Sequence, residues 1–416
     1  MNRYLASHVA GLPPSGIRKF FDLVATMKDV ISLGVGEPDF VTPWTVRESG
    51  IFSLEQGQTM YTSNAGLLEL REELSHHLSK TLGLCYDPAT EILITAGASE
   101  AVDLVMRAVL EPGDVVLVPD PSYVSYAPCA ILAGASVRYI PTHAKEDFRL
   151  RVEDLNEVYT PKAKLLVLSY PNNPTGAIMR REDLIPIADF VAKHDLLVLA
   201  DDIYSDLTYE GRHVSFASLP GMHDRTLFVS GFSKSYAMTG WRIGYVAGHA
   251  DLISGLTKIH QYTMLCAPIT GQFAALEALR SASEAKDEMV TAYDSATSPH
   301  GSRFPADGAR LFRTLRCLLC LSRYFENKFI LRNVCRRTLK GRKSSCRSRD
   351  RFWPFWRRIY SLFLCLFHRA TSGSSHTDYE LCGAQVEQSL ELQETANKQA
   401  HRSFRSACLL FVTINC

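Results

Sequence analysis

Three short apolar runs, each followed at once by polar residues, constrain the fold of this 416-residue chain more than any other feature. The runs lead into Asn173, Asp201 and Lys234 and show no apolar-polar alternation. Strands of this kind are buried on both faces, which is typical of parallel sheets covered by helices. A helical pattern over 182–194 separates the first two runs, so we expect crossover connections. The sequence therefore predicts an α/β fold.

The polar residues behind these strands are candidates for one shared site. In open α/β sheets, ligands bind beyond the carboxyl ends of the strands, where Asn173, Asp201, Tyr204 and Lys234 fall. Lys234 lies among small hydroxyl residues and aromatics, and Arg242 follows shortly after it, a setting unlike that of a solvated surface charge. We interpret Lys234 as an amine that forms a Schiff base with a carbonyl cofactor, and Arg242 as a phosphate ligand.

A strand-to-helix junction upstream predicts a phosphate cradle. An apolar strand at 91–95 runs into a helical pattern at 96–110, whose first turn contains Ala98 and Ser99. Free backbone N–H groups and the positive end of the helix dipole favour an anion there. Ordinary helix N-caps give the same pattern, so the junction alone is weak evidence. Tyr123 follows the next strand and is placed to stack on a flat ring, although most such tyrosines only pack.

Together, these residues fit one cofactor, pyridoxal 5′-phosphate. Asp201 would keep the pyridine nitrogen protonated and so make the ring an electron sink. Asn173 and Tyr204 would hydrogen-bond the phenolic oxygen of the ring. Lys234 would hold the aldehyde and move the substrate's α-proton, while Arg242 and neighbouring N–H groups would neutralise the phosphate.

Residues 15–290 resemble a class I/II aminotransferase of the fold-type-I superfamily of pyridoxal-phosphate enzymes. The segments that carry the resemblance are LGVGEPDF at 33–40, YTSNAG at 61–66, AGASEA at 96–101, PNNPTG at 171–176, ADDIY at 200–204 and SKSYAMTGWRIGY at 233–245. Together they are highly specific, although none is so alone. The resemblance implies that Lys234, Asp201 and Tyr204 are the catalytic residues, and that the chain transfers amino groups between α-amino acids and 2-oxo acids.

The resemblance also implies contacts outside this catalytic set. Tyr61 would reach the cofactor phosphate of a neighbouring subunit, which makes the expected assembly a homodimer. Gly36 and Asn173 would lie against the substrate. Many family members carry a serine three residues before the lysine as a phosphate ligand. Here that position is Gly231, so we expect Ser233 or Ser230 to replace it.

The family pattern stops after about Asp294. The resemblance implies that a small domain should follow, with an arginine that clamps the substrate's α-carboxylate, but residues 295–416 contain no such pattern. A shift of the reading frame near 294–295 explains this better than a new domain. Trp has one codon, so Trp353 and Trp356 would each become glycine in the shifted frame, where the family pattern tolerates glycine. The fold prediction is therefore a fold-type-I large domain with an incomplete small domain.

The altered region differs from the rest of the chain in composition. Residues 1–300 carry 24 basic and 36 acidic residues, whereas 301–416 carry 21 and 8. A basic tail normally suggests nucleic-acid binding, but shifted codons produce the same surplus, and we predict no nucleic-acid partner. Cys317 and Cys320 have no second pair at zinc-site spacing, so we predict no metal site.

These observations give a division into three parts. We predict an N-terminal arm with the start of a small domain at 1–39, a large pyridoxal-phosphate domain at 40–285, and an aberrant region at 286–416. We find no apolar run of membrane-spanning length and no apolar signal core, and predict a cytosolic location. Two alternatives stay open: a cofactor-binding protein with weak or no catalysis, and a lyase or decarboxylase on the same fold.

Overall fold

The chain folds around a seven-stranded sheet with helices on both of its faces. The structure is a computed structural model that describes residues 4–12, 36–209 and 211–297. The strands are β1 Ile92–Thr95, β2 Val115–Asp120, β3 Ser136–Pro141, β4 Ala163–Leu168, β5 Leu197–Asp201, β6 Thr226–Gly231 and β7 Gly244–Ala247. Their order in the sheet is β1-β7-β6-β5-β4-β2-β3. Only β7 runs antiparallel to its neighbours within this sheet, so the predicted mainly parallel α/β fold is confirmed.

The helices lie between the strands, as the predicted crossovers require. Those longer than one turn are α1 Trp44–Glu55, α2 Leu68–Leu82, α3 Ala98–Val109, α4 Tyr126–Leu132, α5 Val152–Val158, α6 Arg181–Lys193, α7 Ala250–Thr263, α8 Ile269–Ser281 and α9 Ser283–Thr297. Shorter helical segments are Ser7–Ala10, Ala144–Glu146, Ser205–Leu207, Phe216–Ser218, His223–Arg225, Phe232–Ser235 and Thr239–Trp241. The helical patterns predicted at 96–110 and 182–194 correspond to α3 and α6.

Both faces of the central strands are buried, which explains their unbroken apolar sequences. In β4, Leu165 and Val167 pack with the residues of α3 on one face. Leu166 and Leu168 pack with those of α6 on the other face. Since successive side chains of a strand point to opposite faces, a strand between two helical layers is apolar at most of its positions.

Close packing of three backbones fixes the edge of the sheet near Lys234. A Cβ atom added at Gly231 would lie 2.9 Å from the Cα atom of Gly244 in the neighbouring strand. A Cβ atom at Gly244 would in turn collide with the backbone of Gly97 and Ala98, where α3 begins. The position at which many relatives are expected to carry serine is therefore filled here by a glycine that lets β6, β7 and the start of α3 meet.

Parts of the sequence predictions lie outside the described residues. These are the N-terminal arm from 13 to 35, the aberrant region from 298 to 416 and the Cys317/Cys320 pair. Within the described ranges, no three His, Cys, Asp or Glu side chains are grouped so that they would hold a metal ion. None of the helices described is both long and apolar enough to span a bilayer.

Candidate active site

Lys234 lies just beyond the carboxyl end of β6, in the short helical turn Phe232–Ser235. Its Nζ atom donates a hydrogen bond to the carbonyl oxygen of Gly36 at 3.0 Å. The same atom lies 5.9 Å from the centre of the Tyr204 ring. Burial lowers the pKa of the ammonium; Glu37 partly opposes this and Arg242 adds to it. A lysine of lowered pKa is a better nucleophile and base at neutral pH.

Asp201 is the last residue of β5, the strand next to β6 in the sheet. The residue is only 5% exposed. Its carboxylate accepts hydrogen bonds from the Tyr126 hydroxyl at 2.7 Å and from the Ile203 backbone N–H at 3.2 Å. Burial raises the pKa of this carboxyl to about 6. A buried carboxylate with these two donors is suited to receive a cationic N–H group.

Arg242 lies against the start of α3. Its guanidinium donates to the carbonyl oxygens of Thr239 at 3.0 Å and Ala96 at 3.2 Å. A Cβ atom at Gly97, which has a φ of +88°, would collide with that guanidinium. The glycine therefore makes room for a positive charge beside the first-turn N–H groups of α3, a combination suited to an anion.

Two hydrogen bonds of the Glu100 side chain also stabilise the first turn of α3, and the sequence did not indicate them. Glu100 accepts a hydrogen bond from the Ala96 N–H, and its other oxygen lies 2.7 Å from the Nδ1 atom of His260 in α7. His260 is fully buried, and its Nε2 atom has no partner among the described residues. Because a carboxylate only accepts hydrogen bonds, Nδ1 is the donor of this pair.

The remaining predicted ring contacts lie at the same edge of the sheet. Tyr123 is half-buried, and its ring meets the Tyr126 ring edge-on, with centroids 5.5 Å apart. Asn172 is buried, and its Oδ1 atom accepts a hydrogen bond from the Thr175 hydroxyl at 2.8 Å. This bond fixes the turn after β4. Asn173, the next residue, is half-buried.

The other predicted residues have different surroundings. Ala98 is half-buried and Ser99 is exposed, both at the start of α3. Ser230 is buried in β6, and its hydroxyl donates to the Asp202 carbonyl at 3.4 Å. Ser233 is only half-buried, so of the two serines it is the more accessible. Tyr61 is 80% exposed.

These surroundings fit pyridoxal 5′-phosphate. The ring nitrogen needs a buried anionic partner, and Asp201 is one. The aldehyde needs an amine of lowered pKa, and Lys234 has one. The phosphate needs cationic and N–H donors with open space, and Arg242 is exposed beside the start of α3. The described residues thus supply a chemically matched group for each end of this molecule.

Comparison with known proteins gives close similarities over the same region. A sequence model of the family described as "Aminotransferase class I and II" matches residues 28–297. The putative aminotransferase YugH of Bacillus subtilis is 50% identical over 293 residues, which cover 70% of this chain and 76% of that protein. The aspartate aminotransferase of Pyrococcus abyssi is 45% identical, over 68% of this chain and 73% of its own length.

Solved structures agree with these sequence similarities. The aspartate aminotransferase of Thermus thermophilus with maleate has a TM-score of 0.67 and 36% identity, and the match covers 70% of this chain and 78% of that one. The aromatic aminotransferase of Pyrococcus horikoshii has a TM-score of 0.64 and 44% identity, over 67% of this chain and 75% of its own. The family match ends at residue 297, close to the predicted end of the family pattern at about 294.

Proposed function

The chain belongs to the class I and class II aminotransferases, and on that premise we propose that Lys234 is the residue through which it holds pyridoxal 5′-phosphate. Enzymes of this family transfer an amino group, and the cofactor supplies an electron sink that stabilises negative charge at the substrate's Cα atom. The observation that carries the assignment is the shared sheet edge. Asp201 lies at the carboxyl end of β5, Tyr204 lies just beyond it, and Lys234 lies just beyond the end of the adjacent parallel strand β6.

Each residue has a role that follows from its surroundings. Lys234 holds the cofactor's aldehyde and afterwards accepts the substrate's Cα proton at its Nζ atom, which its lowered pKa favours. Asp201 holds a proton on the ring nitrogen. Tyr204 and Asn173 donate to the ring oxygen, and Arg242 binds the phosphate with Ser99 and the first-turn N–H groups of α3.

Reduction with borohydride tests the role of Lys234. The reductant fixes the link between an amine and the aldehyde, so peptide mapping of the reduced protein should find the pyridoxyl group on Lys234. Lys234→Ala should lose that label, while the exposed Lys258→Ala should keep it. A label that stays in Lys234→Ala at the wild-type level would refute the assignment.

We also propose a homodimer in which Tyr61 binds the phosphate of the partner's cofactor. Large apolar side chains are exposed on α1, on the loop after it and on α7; they include Trp44, Phe52, Met60, Tyr61 and Tyr262. Such a surface is unusual for a monomer and favours burial against a second copy.

Mixing two variants tests the dimer and the role of Tyr61 together. Each proposed site takes Lys234 from one chain and Tyr61 from the other. In a dimer of Tyr61→Ala chains, or of Lys234→Ala chains, both sites therefore lack one of these two residues. A hybrid dimer contains one site with both residues intact, so tight cofactor binding should appear only in the mixture. Sedimentation of the wild-type chain as a monomer would refute the proposal.

We make three further proposals, on the substrate, the domain boundaries and the cellular location. Relatives are named for aspartate and for aromatic amino acids, so aspartate and phenylalanine are the first donors to assay. We propose that residues 40–285 form the cofactor domain, which limited proteolysis should leave intact. The proposed cytosolic location is testable by cell fractionation.

A further inference from the structure

We propose that Tyr126, with Ser169 behind it, is a positioning residue that orients the Asp201 carboxylate toward the cofactor's ring nitrogen. This inference rests on the role proposed for Asp201. Neither residue belongs to a motif that the sequence singles out. Tyr126 begins α4, and Ser169 directly follows β4, so both reach Asp201 from elements other than its own strand.

The contact between Tyr126 and Asp201 is short and fully buried. The hydroxyl oxygen lies 2.7 Å from Oδ2, and Tyr126 is 1% exposed. Burial, followed by the charge of Asp201, raises the pKa of the tyrosine well above its ordinary value, so the phenol keeps its proton. The hydrogen bond therefore has one direction, from the phenol to the carboxylate.

Two donors together fix the plane of the carboxylate. The Ile203 N–H binds Oδ1 at 3.2 Å, and Tyr126 binds Oδ2. Each carboxylate oxygen accepts more than one hydrogen bond, so a lone pair stays available for a ring N–H group. The backbone donor lies only two residues after Asp201 in the chain. Tyr126 is thus the side chain that ties the carboxylate to another part of the fold.

The hydrogen bond from Tyr126 helps to keep Asp201 ionised in surroundings that disfavour its charge. Burial, and to a smaller extent the charge of Asp202, raises the pKa of Asp201 and so disfavours the anion. Tyr126 and Ile203 oppose that effect by hydrogen bonding to the carboxylate. The side chain of Ser169 hydrogen-bonds to Tyr126 and lowers the pKa of the phenol. Ser169, Tyr126 and Asp201 thus form a hydrogen-bonded chain, which we call the relay. It ends at Asp201, the predicted partner of the ring nitrogen.

Tyr126 also contacts the residue predicted to stack on the cofactor ring. Its ring meets the Tyr123 ring edge-on at 5.5 Å, with an angle of 80° between the planes. Such edge-to-face contacts have a preferred geometry and resist rotation of either ring. One buried side chain thus orients two predicted cofactor contacts, at the nitrogen atom and at the face of the ring.

The test compares two buried tyrosines. Tyr126→Phe removes the hydrogen bond to Asp201, while Tyr170→Phe removes the hydrogen bond that another buried tyrosine donates to the Phe148 carbonyl at 3.2 Å. In the cofactor-free protein, NMR of carbon-13-labelled aspartate would follow the Asp201 carboxyl, assigned by its loss in Asp201→Asn. We expect its titration midpoint to rise by about one pH unit in Tyr126→Phe, because a charge-assisted hydrogen bond is lost.

Cofactor binding provides a second readout. The dissociation constant of pyridoxal 5′-phosphate, measured by tryptophan quenching at pH 8, should rise about 10-fold in Tyr126→Phe. Ser169→Ala should give a smaller rise in the same direction and serves as the second variant if Tyr126→Phe does not fold. Tyr170→Phe should match the wild type in both measurements.

Two outcomes distinguish a failure of the role inferred for Tyr126 from a failure of the role proposed for Asp201. If Asp201→Asn weakens cofactor binding and both relay variants behave like Tyr170→Phe, then Tyr126 has no positioning role. If Asp201→Asn binds the cofactor as tightly as the wild type, the proposed role of Asp201 itself is wrong.

Discussion

The Nζ atom of Lys234 and the carbonyl oxygen of Gly36 lie 3.0 Å apart, although 198 positions separate them in the sequence. The contact places Gly36 beside the end of β6. Gly36 has a φ of +65°, a conformation that side chains rarely adopt. The predicted substrate contact and the predicted cofactor lysine are therefore neighbours in the fold.

We expect Gly97→Ala to weaken cofactor binding through Arg242. The added Cβ atom would occupy the space of the guanidinium, so the arginine must leave the start of α3. Loss of a charge-assisted contact corresponds to about 10-fold or more in affinity. The measurement is titration of the cofactor-free protein with pyridoxal 5′-phosphate.

Gly83→Ala is the matched control for that prediction. Gly83 has a φ of +69°, similar to the +88° of Gly97, but no atom lies within 4 Å of its added Cβ. Both variants place an alanine at positive φ, where Gly97 (ψ 161°) is more strained than Gly83 (ψ 24°, left-handed helical), and only Gly97→Ala displaces Arg242. Equal cofactor affinities in the two variants would contradict the explanation.

Asp201 should make the cofactor-free protein less stable as the pH rises from about 4 to 6. Burial raises its pKa from 3.8 to about 6, so the folded chain binds the proton more tightly than the unfolded chain in this interval. The free energy of unfolding then falls with rising pH, by about 3 kcal/mol at most. Asp201→Asn removes this dependence.

Urea denaturation of the cofactor-free protein at pH 4.5 and pH 7.5 measures the effect. The stability of Asp201→Asn relative to the wild type should increase between the two pH values. Asp195→Asn is the control, because that carboxylate is 93% exposed in its pair with Arg225. A difference between wild type and Asp201→Asn that stays constant with pH would overturn the prediction.

The fold and the ends of its strands were predictable because burial of a strand on both faces requires a local run of apolar residues. The unalternating runs that became β4, β5 and β6 identified a sheet covered on both faces and placed Asp201 and Lys234 at its edge. β7 was not identified, since its four residues are too few to show a strand pattern. Its antiparallel pairing is set by contacts with β1 and β6 rather than by its own pattern.

The polar contacts that support the site were not predictable in the same way. Tyr126 and Asp201 are 75 positions apart, and Glu100 and His260 are 160 apart. Tyr126, Glu100 and His260, each taken alone, have the sequence context of an ordinary helix residue. Only the tertiary fold, which places the start of α4 beside the end of β5 and packs α7 on α3, brings each pair together. Local periodicity contains no information on such pairs.

The pair of Glu100 and His260 should contribute measurably to stability. Glu100→Ala leaves the fully buried Nδ1 atom of His260 without its partner and frees the Ala96 N–H, at a cost of about 1–3 kcal/mol. Glu100→Ala/His260→Leu should lose less than the sum of the single variants, because neither polar group is then left unpaired.

Chemical denaturation of these variants forms a double-mutant cycle. Glu73→Ala provides the comparison, because Glu73 lies 3.7 Å from Arg280 in a partly exposed pair. Such surface pairs contribute about 0–1 kcal/mol. Additive losses at Glu100 and His260 would show that the two side chains are not coupled.

The last prediction concerns the region after Asp294, which is described only as far as residue 297. A transaminase must hold the substrate's α-carboxylate so that the Cα–H bond stands perpendicular to the cofactor ring, and the family resemblance assigns this to an arginine beyond 294. No arginine in 295–416 lies in a matching sequence context. We therefore expect the present chain to bind cofactor but to transaminate slowly. Losing one desolvated charge pair costs about 2–5 kcal/mol, or roughly 30- to 5,000-fold in binding.

Deleting one nucleotide directly after the Asp294 codon should restore the small domain and the missing arginine. Both proteins would be assayed with aspartate and with phenylalanine as amino donors, after cofactor occupancy has been equalised by absorbance. The corrected protein should be faster with at least one donor, by about the factor expected for the lost charge pair. Lys234→Ala in the corrected sequence is the control that assigns the gain to this active site. Equal rates in the two proteins at equal occupancy would mean that the frame of the last third has no bearing on activity, and the frame-shift account of the slow chain would be wrong.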